Sequence, residues 1–118
     1  MVTNEEIAKA CMSTLQDARK ERITVFLNAY QIWGVLSEKN SPICEQLRES
    51  YGNDVGRGAG ERVTPVVRIS QALSRSKEIE HYYMDGRLTK FRIGNEDIEP
   101  GYPIYDIFRL LENDKTAG

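Results

Sequence analysis

Apolar residues near the start of the chain recur at the spacing of an amphipathic helix. Ile7, Cys11 and Leu15 repeat every four residues, which places them on one helix face. Thr3 and Glu6 have the spacing of a capping box in front of them. The pattern therefore predicts an N-terminal helix with one buried face, ending near the charged run 19–22.

Two further helices are predicted from the next thirty residues. Segment 23–36 is the most apolar part of the chain, which predicts a central helix packed on several sides. Ser41 and Pro42 begin another helix with a cap residue and a first-turn proline, and Gly52 ends it. The residues of this helix that should face inward are Ile43, Cys44 and Leu47.

The fourth predicted helix begins with a cap and a proline. The Thr64 hydroxyl can cap the helix, and Pro65 fits its first turn. Val66, Ile69 and Leu73 then recur at helical spacing and should form its buried face. A second set, on the opposite face and therefore expected to be exposed, consists of Arg68, Gln71 and Arg75.

After residue 76 the apolar pattern changes from helical to alternating. Segments 79–84 and 88–93 flank Asp85-Gly86, a dipeptide typical of a tight hairpin turn. The predicted core face of this hairpin holds Tyr82, Met84, Thr89, Phe91 and Ile93. The predicted exposed face holds His81, Tyr83, Leu88, Lys90 and Arg92. Segment 104–111 also alternates, and it is a candidate third strand beside the hairpin.

Together these elements predict an α+β fold in which four helices precede a β-hairpin and a possible third strand. Residues 1–20 are expected to be an accessory helix, residues 22–111 the main domain, and residues 112–118 a disordered tail. Between the third and fourth helices lies the glycine-rich segment 52–61. It is either a plain linker or a turn that brings backbone amides near a phosphate, with Arg57 and Arg62 at its flanks.

A helix over residues 64–76 with a basic and amide-bearing outer face, followed by a hairpin over residues 79–93, resembles the recognition helix and wing of the winged helix-turn-helix superfamily. The resemblance covers residues 22–93. It implies a DNA-binding transcriptional regulator in which Arg68 and Gln71 face base edges, since arginine pairs with guanine and glutamine with adenine. The hairpin would lie along the phosphate backbone.

Positive charge is concentrated in the segment that carries this resemblance. Residues 57–92 contain eight Lys or Arg and four Asp or Glu, whereas the rest of the chain contains eight basic and fourteen acidic residues. Basic side chains in that segment suit phosphate contacts. The candidate nucleic-acid-binding residues are Arg57, Arg62, Thr64, Arg68, Gln71, Arg75, Lys77, Arg87, Lys90 and Arg92.

The acidic excess elsewhere favours a second interpretation, in which the same scaffold is a protein-interaction module, an adaptor or inhibitor that binds no DNA. Under the regulator interpretation a homodimer is expected, with the N-terminal helix face of Ile7, Cys11 and Leu15 as its contact.

The composition narrows the remaining choices. No apolar run approaches the length of a membrane span, and the N-terminus lacks the pattern of a secretory signal, so a cytoplasmic protein is expected. Cys11 and Cys44 fall on apolar helix positions and are expected to be buried thiols. His81 is the single histidine. Because no nucleophile, paired carboxylates or metal-ligand spacing can be assembled, neither an enzyme nor a cofactor site is expected.

Overall fold

A computed structural model describes residues 2–19, 23–53, 63–88, 91–93, 96–98 and 104–111 of the chain. Over these residues the protein is α+β, with four helices, a three-stranded antiparallel sheet and a separate two-stranded pair. In chain order the elements are α1 (Asn4–Asp17), β1 (Leu27–Asn28), α2 (Ala29–Glu38), α3 (Pro42–Tyr51), α4 (Pro65–Ser74), β2 (Ile79–Asp85), β3 (Phe91–Ile93), β4 (Glu96–Ile98) and β5 (Ile104–Leu110).

The predicted side-chain caps are confirmed at α1 and α4, whereas Ser41 precedes α3 without a side-chain cap hydrogen bond, so the capping role predicted for it is wrong. The amide of Glu6 donates to Thr3 Oγ1 over 3.1 Å, and its carboxylate accepts from the Thr3 amide, so the capping box is complete. The hydroxyl of Thr64 accepts from the amide of Val67 over 3.3 Å. Each bond satisfies a backbone donor that the first helical turn leaves unpaired.

The central helix α2 is shorter than predicted. It begins at Ala29, so the prediction of a helix from residue 23 is wrong. Asn28 has extended backbone angles (φ −90°, ψ 170°), and its side chain and that of Gln31 cap each other's amides over 2.9 Å. Because a residue with extended backbone angles cannot lie inside a helix, Asn28 prevents a continuous helix from residue 23 into α2. Residues 27–28 form strand β1 instead.

The core lies between the helices and the inner face of the sheet. Ile7, Cys11 and Leu15 of α1 are buried with Ile69 of α4 and Phe108 of β5. The three α1 residues therefore belong to this chain's own core. The prediction that they form a dimer contact is wrong, because a face already buried within one chain cannot also bury itself against a second.

The three-stranded sheet has the order β1-β5-β2, and both of its ladders are antiparallel. Strand β2 pairs along its whole length with β5, from Ile79 opposite Leu110 to Asp85 opposite Ile104. The strand predicted over 104–111 is therefore confirmed, and it lies in the centre of the sheet.

The predicted pairing of 79–84 with 88–93 is wrong. Asp85 is still part of the β2 ladder, the Arg87 amide donates to its carboxylate over 2.9 Å, and Leu88 has a left-handed backbone (φ 66°). A left-handed residue interrupts an extended strand, so the chain leaves the sheet here. Residues 91–93 pair with β4 rather than with β2.

The predicted faces of β2 are wrong for Tyr82, Met84 and His81, whereas Tyr83 is 68% exposed, as predicted. Tyr82 and Met84, predicted for the core, are 52% and 36% exposed, whereas Ile79 is 7% exposed. Because successive strand residues point to opposite faces, the odd-numbered residues lie on the same face as buried Ile79 and the even-numbered ones on the other. Cover by the core extends along that face only over Ile79 and His81, and Tyr83 and Asp85 lie beyond it and are exposed. His81 accordingly stacks on the buried ring of Phe108, with centroids 5.1 Å apart.

Several predictions fall on residues outside the described ranges. These are the roles of Arg57, Arg62 and Lys90, the position of Thr89, most of the glycine-rich segment 52–61 and the tail 112–118. Among the described residues, no helix combines the length and apolar character needed to cross a membrane.

Candidate nucleic-acid interface

Helix α4 has two faces with opposite environments. Val66, Ile69 and Leu73 are 0–3% exposed, which confirms the predicted buried face. The opposite side carries an unbroken row of exposed or half-buried positions at i, i+3, i+4, i+7 and i+8. We call this row the α4 outer stripe; it comprises Val67, Ser70, Gln71, Ser74 and Arg75.

The α4 outer stripe combines three short side chains with two long ones, Gln71 and Arg75. Ser74 donates to the carbonyl of Gln71 over 3.1 Å, so its hydroxyl lies against its own helix. Short neighbours let a helix backbone come close to a flat or concave partner. The Gln71 amide, which is exposed as predicted, is then available to a partner in the middle of this face.

Arg68 belongs to a different environment from the one predicted. Its Nε donates to the Tyr51 hydroxyl over 3.0 Å, its Nη1 to Asn4 Oδ1 over 2.6 Å, and its Nη2 to the Val2 carbonyl over 3.4 Å. The prediction that Arg68 is exposed is wrong, since the residue is half-buried. Position 68 lies beside the outer stripe, where α4 faces the start of α1 and the end of α3, and these elements supply three acceptors.

Two other candidate residues also have local structural partners. Thr64 is 6% exposed and its hydroxyl caps α4. Arg87 is exposed, and its Nε lies 3.0 and 2.9 Å from the two carboxylate oxygens of Asp85. The Arg87 hydrogen bonds hold the pKa of Asp85 below its ordinary value, so both groups stay ionised and their charges largely cancel.

Basic charge collects at the C-terminal end of α4. Arg75 is the C-cap residue, and it is exposed together with Lys77 two residues on. Cations are favourable near the negative end of a helix dipole. Glu78 is also exposed in this region and offsets part of the charge. Arg92, on β3, is exposed as predicted.

The described candidates therefore divide into two groups. Gln71, Arg75 and Lys77 come together at one end of α4, whereas Thr64, Arg68 and Arg87 are held by bonds within the chain. Arg92 lies on the separate β3-β4 pair.

Sequence reasoning missed an aromatic surface on the outer face of the sheet. Phe26 meets Tyr82 edge to face, with centroids 5.7 Å apart. The guanidinium of Arg109 lies 4.6 Å from the centre of the Phe26 ring, and it also pairs with Glu80 over 2.6 Å. The signal that would have revealed this surface is strand parity, because once Ile79 is buried, Glu80 and Tyr82 must point outward.

His81 lies on the inner face, at the rim of the core. Its ring stacks on Phe108, and its Nε2 lies 3.3 Å from Asp106 Oδ1 on the neighbouring strand. Tyr83 covers it from the side, with ring centroids 4.9 Å apart. The half-buried position of His81 and its contacts suit a residue that packs the edge of the sheet.

Comparison of the chain with protein-family models, with curated proteins and with solved structures found no match in any of the three.

Proposed function

We propose that this protein is a DNA-binding transcriptional regulator of winged-helix-like architecture, acting in the cytoplasm, in which α4 enters the major groove. The observation that carries the proposal is the α4 outer stripe. The helix is fixed to the core along one face, while the opposite face is left uncovered by the described residues. A supported helix with a free polar face is what groove reading requires.

The element order supports the same proposal. Helices α2, α3 and α4 precede two long antiparallel strands, β2 and β5, and the short β1 extends that sheet. The arrangement differs from the predicted wing in that β5, rather than residues 88–93, is the partner of β2. The proposed wing is therefore the β2-β5 pair, and Arg87 at its end contributes little net charge to a phosphate contact because Asp85 pairs with it.

Each side chain at the interface has a distinct proposed role. Gln71 reads an adenine through two hydrogen bonds, and Val67 contacts a neighbouring thymine methyl. Arg75 and Lys77 contact phosphates, which gives affinity with little sequence preference. Arg68 holds α4 against α1 and α3 and so positions the reading helix rather than touching bases. Further phosphate contacts are proposed for Arg57, Arg62, Lys90 and Arg92.

Replacing Gln71 with alanine should change which sequence the protein prefers. Loss of one bidentate pair costs about 1–3 kcal/mol at the contacted base pair. The measurement is selection from a random duplex library, followed by affinity for the selected site and for single-base variants of it. We expect wild type to prefer adenine at one position and Gln71→Ala to bind all four bases there alike.

Lys77→Ala is the matched control for that experiment. It should weaken binding to every duplex by a similar factor and leave the base preference intact, because a phosphate contact carries no sequence information. If Gln71→Ala selects the same sequence as wild type and binds it with the same affinity, Gln71 does not contact DNA.

The aromatic surface on the sheet favours a second candidate function, a protein-interaction module. Phe26 is 37% and Tyr82 52% exposed, and aromatic side chains are enriched at protein interfaces. Under this alternative the variants at Gln71 and Lys77 would leave duplex affinity unchanged, whereas Tyr82→Ala would weaken capture of the partner.

A further inference from the structure

Strand β2 forms an outer edge of the three-stranded sheet. It has seven residues and is paired on one side by β5, and no other described strand pairs with it. An edge strand presents a row of backbone donors and acceptors that a further strand can complete. The length and regularity of β2 make this the most extended unpaired edge among the described residues.

The backbone groups that point away from β5 follow from one hydrogen bond. The amide of Leu111 donates to the carbonyl of Glu78 over 2.9 Å, in register with the β2-β5 ladder. Alternation along the strand then turns the amides and carbonyls of Glu80, Tyr82 and Met84 toward β5. Those of Ile79, His81, Tyr83 and Asp85 point to the free edge.

The free edge of β2 lacks the features that usually block strand pairing. Residues 79–85 contain no proline and no lysine, two common protections of an edge. Both acids in the strand are neutralised within the chain, Glu80 by Arg109 and Asp85 by Arg87. Tyr82 and Tyr83 are 52% and 68% exposed, so each face of the edge offers aromatic surface for burial.

We propose that a second copy of this chain pairs with β2 along this edge, antiparallel and about a two-fold axis through Tyr82. The two sheets then join into one six-stranded sheet of order β1-β5-β2-β2-β5-β1. The residues that bond across the new edge are all odd-numbered, so the same face of β2 is on the same side in both copies. The two-fold axis is therefore perpendicular to the sheet. Both sets of helices consequently lie on the same side of the joined sheet.

The register is fixed by overlap and by side-chain complementarity. With Tyr82 opposite itself, Ile79 faces the second copy's Asp85 and His81 faces the second copy's Tyr83, so all seven residues pair. If the second copy's β2 is shifted by two residues in either direction, some residues of the strand have no partner in the ladder. In this register no two acidic side chains are directly opposed, since Glu80 faces the second copy's Met84.

A second copy is the occupant proposed for this edge, because an antiparallel copy pairs every residue of β2 and places His81 opposite the second copy's Tyr83. Imidazole and phenol rings already pack together within one chain at His81 and Tyr83, and the two-fold repeats that pairing across the new edge. This dimer does not depend on DNA binding, and it replaces the α1 contact expected from the sequence.

Disulfide trapping tests the register directly. In the proposed dimer the two Tyr82 positions form a non-hydrogen-bonded pair with Cα atoms about 4.5 Å apart, within the range a disulfide spans. Tyr82→Cys, treated with diamide, should become a covalent dimer on a non-reducing gel. Met84→Cys is the matched control, because its two copies are offset by four residues along the strand, about 13 Å, and it should stay monomeric. The native thiols of Cys11 and Cys44 are buried.

A second pair of variants tests the backbone pairing in solution. The amide of Tyr83 points to the free edge, so Tyr83→Pro removes a donor from the dimer while keeping the bonds to β5. Tyr83→Thr removes the same ring and keeps the amide. Sedimentation at high micromolar concentration should show dimers for wild type and Tyr83→Thr and monomers for Tyr83→Pro. A monomeric wild type, or equal cross-linking of the two cysteine variants, would overturn the proposal; should Tyr83→Pro fail to fold, the cysteine pair decides alone.

Discussion

Replacing Arg68 with alanine should lower the free energy of unfolding by about 2–4 kcal/mol, far more than an ordinary surface arginine. The Arg68 guanidinium bonds to Tyr51, Asn4 and the Val2 carbonyl, and so it connects α4 with α3 and the start of α1. Hydrogen bonds to a charged group contribute about 1.5–3 kcal/mol each before the cost of ordering is counted. Urea denaturation followed by circular dichroism would measure the change.

Arg75→Ala is the control for this experiment, because Arg75 is on the same helix and exposed. Its effect on stability should stay within about 0.5 kcal/mol. If the two variants are equally stable, Arg68 does not fix α4 in place. Arg68 would then again be a candidate for an exposed residue that contacts DNA directly.

The stability of the protein should fall steeply above pH 9 because of the Cys11 thiol. Burial raises the pKa of Cys11 from 9.0 to about 12 in the folded chain, and nearby Cys44 adds to the shift. Below pH 9 the thiol is protonated in both states, and the stabilisation is fully present. Between pH 9 and 12 the unfolded chain loses this proton while the folded chain keeps it, so roughly 1.4 kcal/mol is lost per pH unit.

Cys11→Ala isolates this contribution from the other groups that titrate in the same range. At pH 7 the variant should be less stable than wild type, since it leaves a small cavity. Its stability should decline less steeply with pH, so that the difference between the two proteins narrows between pH 8 and pH 10.5. Parallel decline of both proteins in urea titrations would contradict a raised Cys11 pKa.

The sequence predicted the local features of the helices well because those features depend on neighbouring residues. The cap at Thr64 and the buried row of Val66, Ile69 and Leu73 are both determined within a few residues of chain. The same is true of the capping box at Thr3. The one helix boundary that was wrong, at α2, depended on a second capping box at Asn28 and Gln31, which lies within an apolar run and is hidden by it.

Strand pairing was predicted poorly because it depends on contacts distant in sequence. Asp85-Gly86 is a strong local signal for a hairpin, but β5, some twenty residues further on, supplies seven paired residues, whereas 91–93 is only three residues long. Choosing the wrong partner also misassigned the two faces of β2. For that reason the exposed aromatic surface around Tyr82 was not predicted.

The candidate interface shows the same division. Exposure of Gln71 and Arg75 follows from helix periodicity and was predicted. Arg68 shares that periodicity, but its burial depends on where α1 and α3 pack. The spacing of residues along α4 gives no information about that packing. The sequence therefore predicted the exposed face of the candidate interface helix and overstated the number of side chains that are free on it.

The central claim, that the α4 outer stripe binds duplex DNA, is tested most directly by the salt dependence of binding. Fluorescence anisotropy with a labelled duplex, at low and at physiological salt, should be compared for wild type and for Gln71→Ala/Arg75→Ala/Lys77→Ala. Binding by wild type should weaken steeply as salt rises, because phosphate contacts release counterions. The triple variant should bind more weakly at both salt concentrations and with a smaller salt slope. If wild type and the folded triple variant bind equally weakly at both concentrations, neither the α4 outer stripe nor Lys77 contacts DNA.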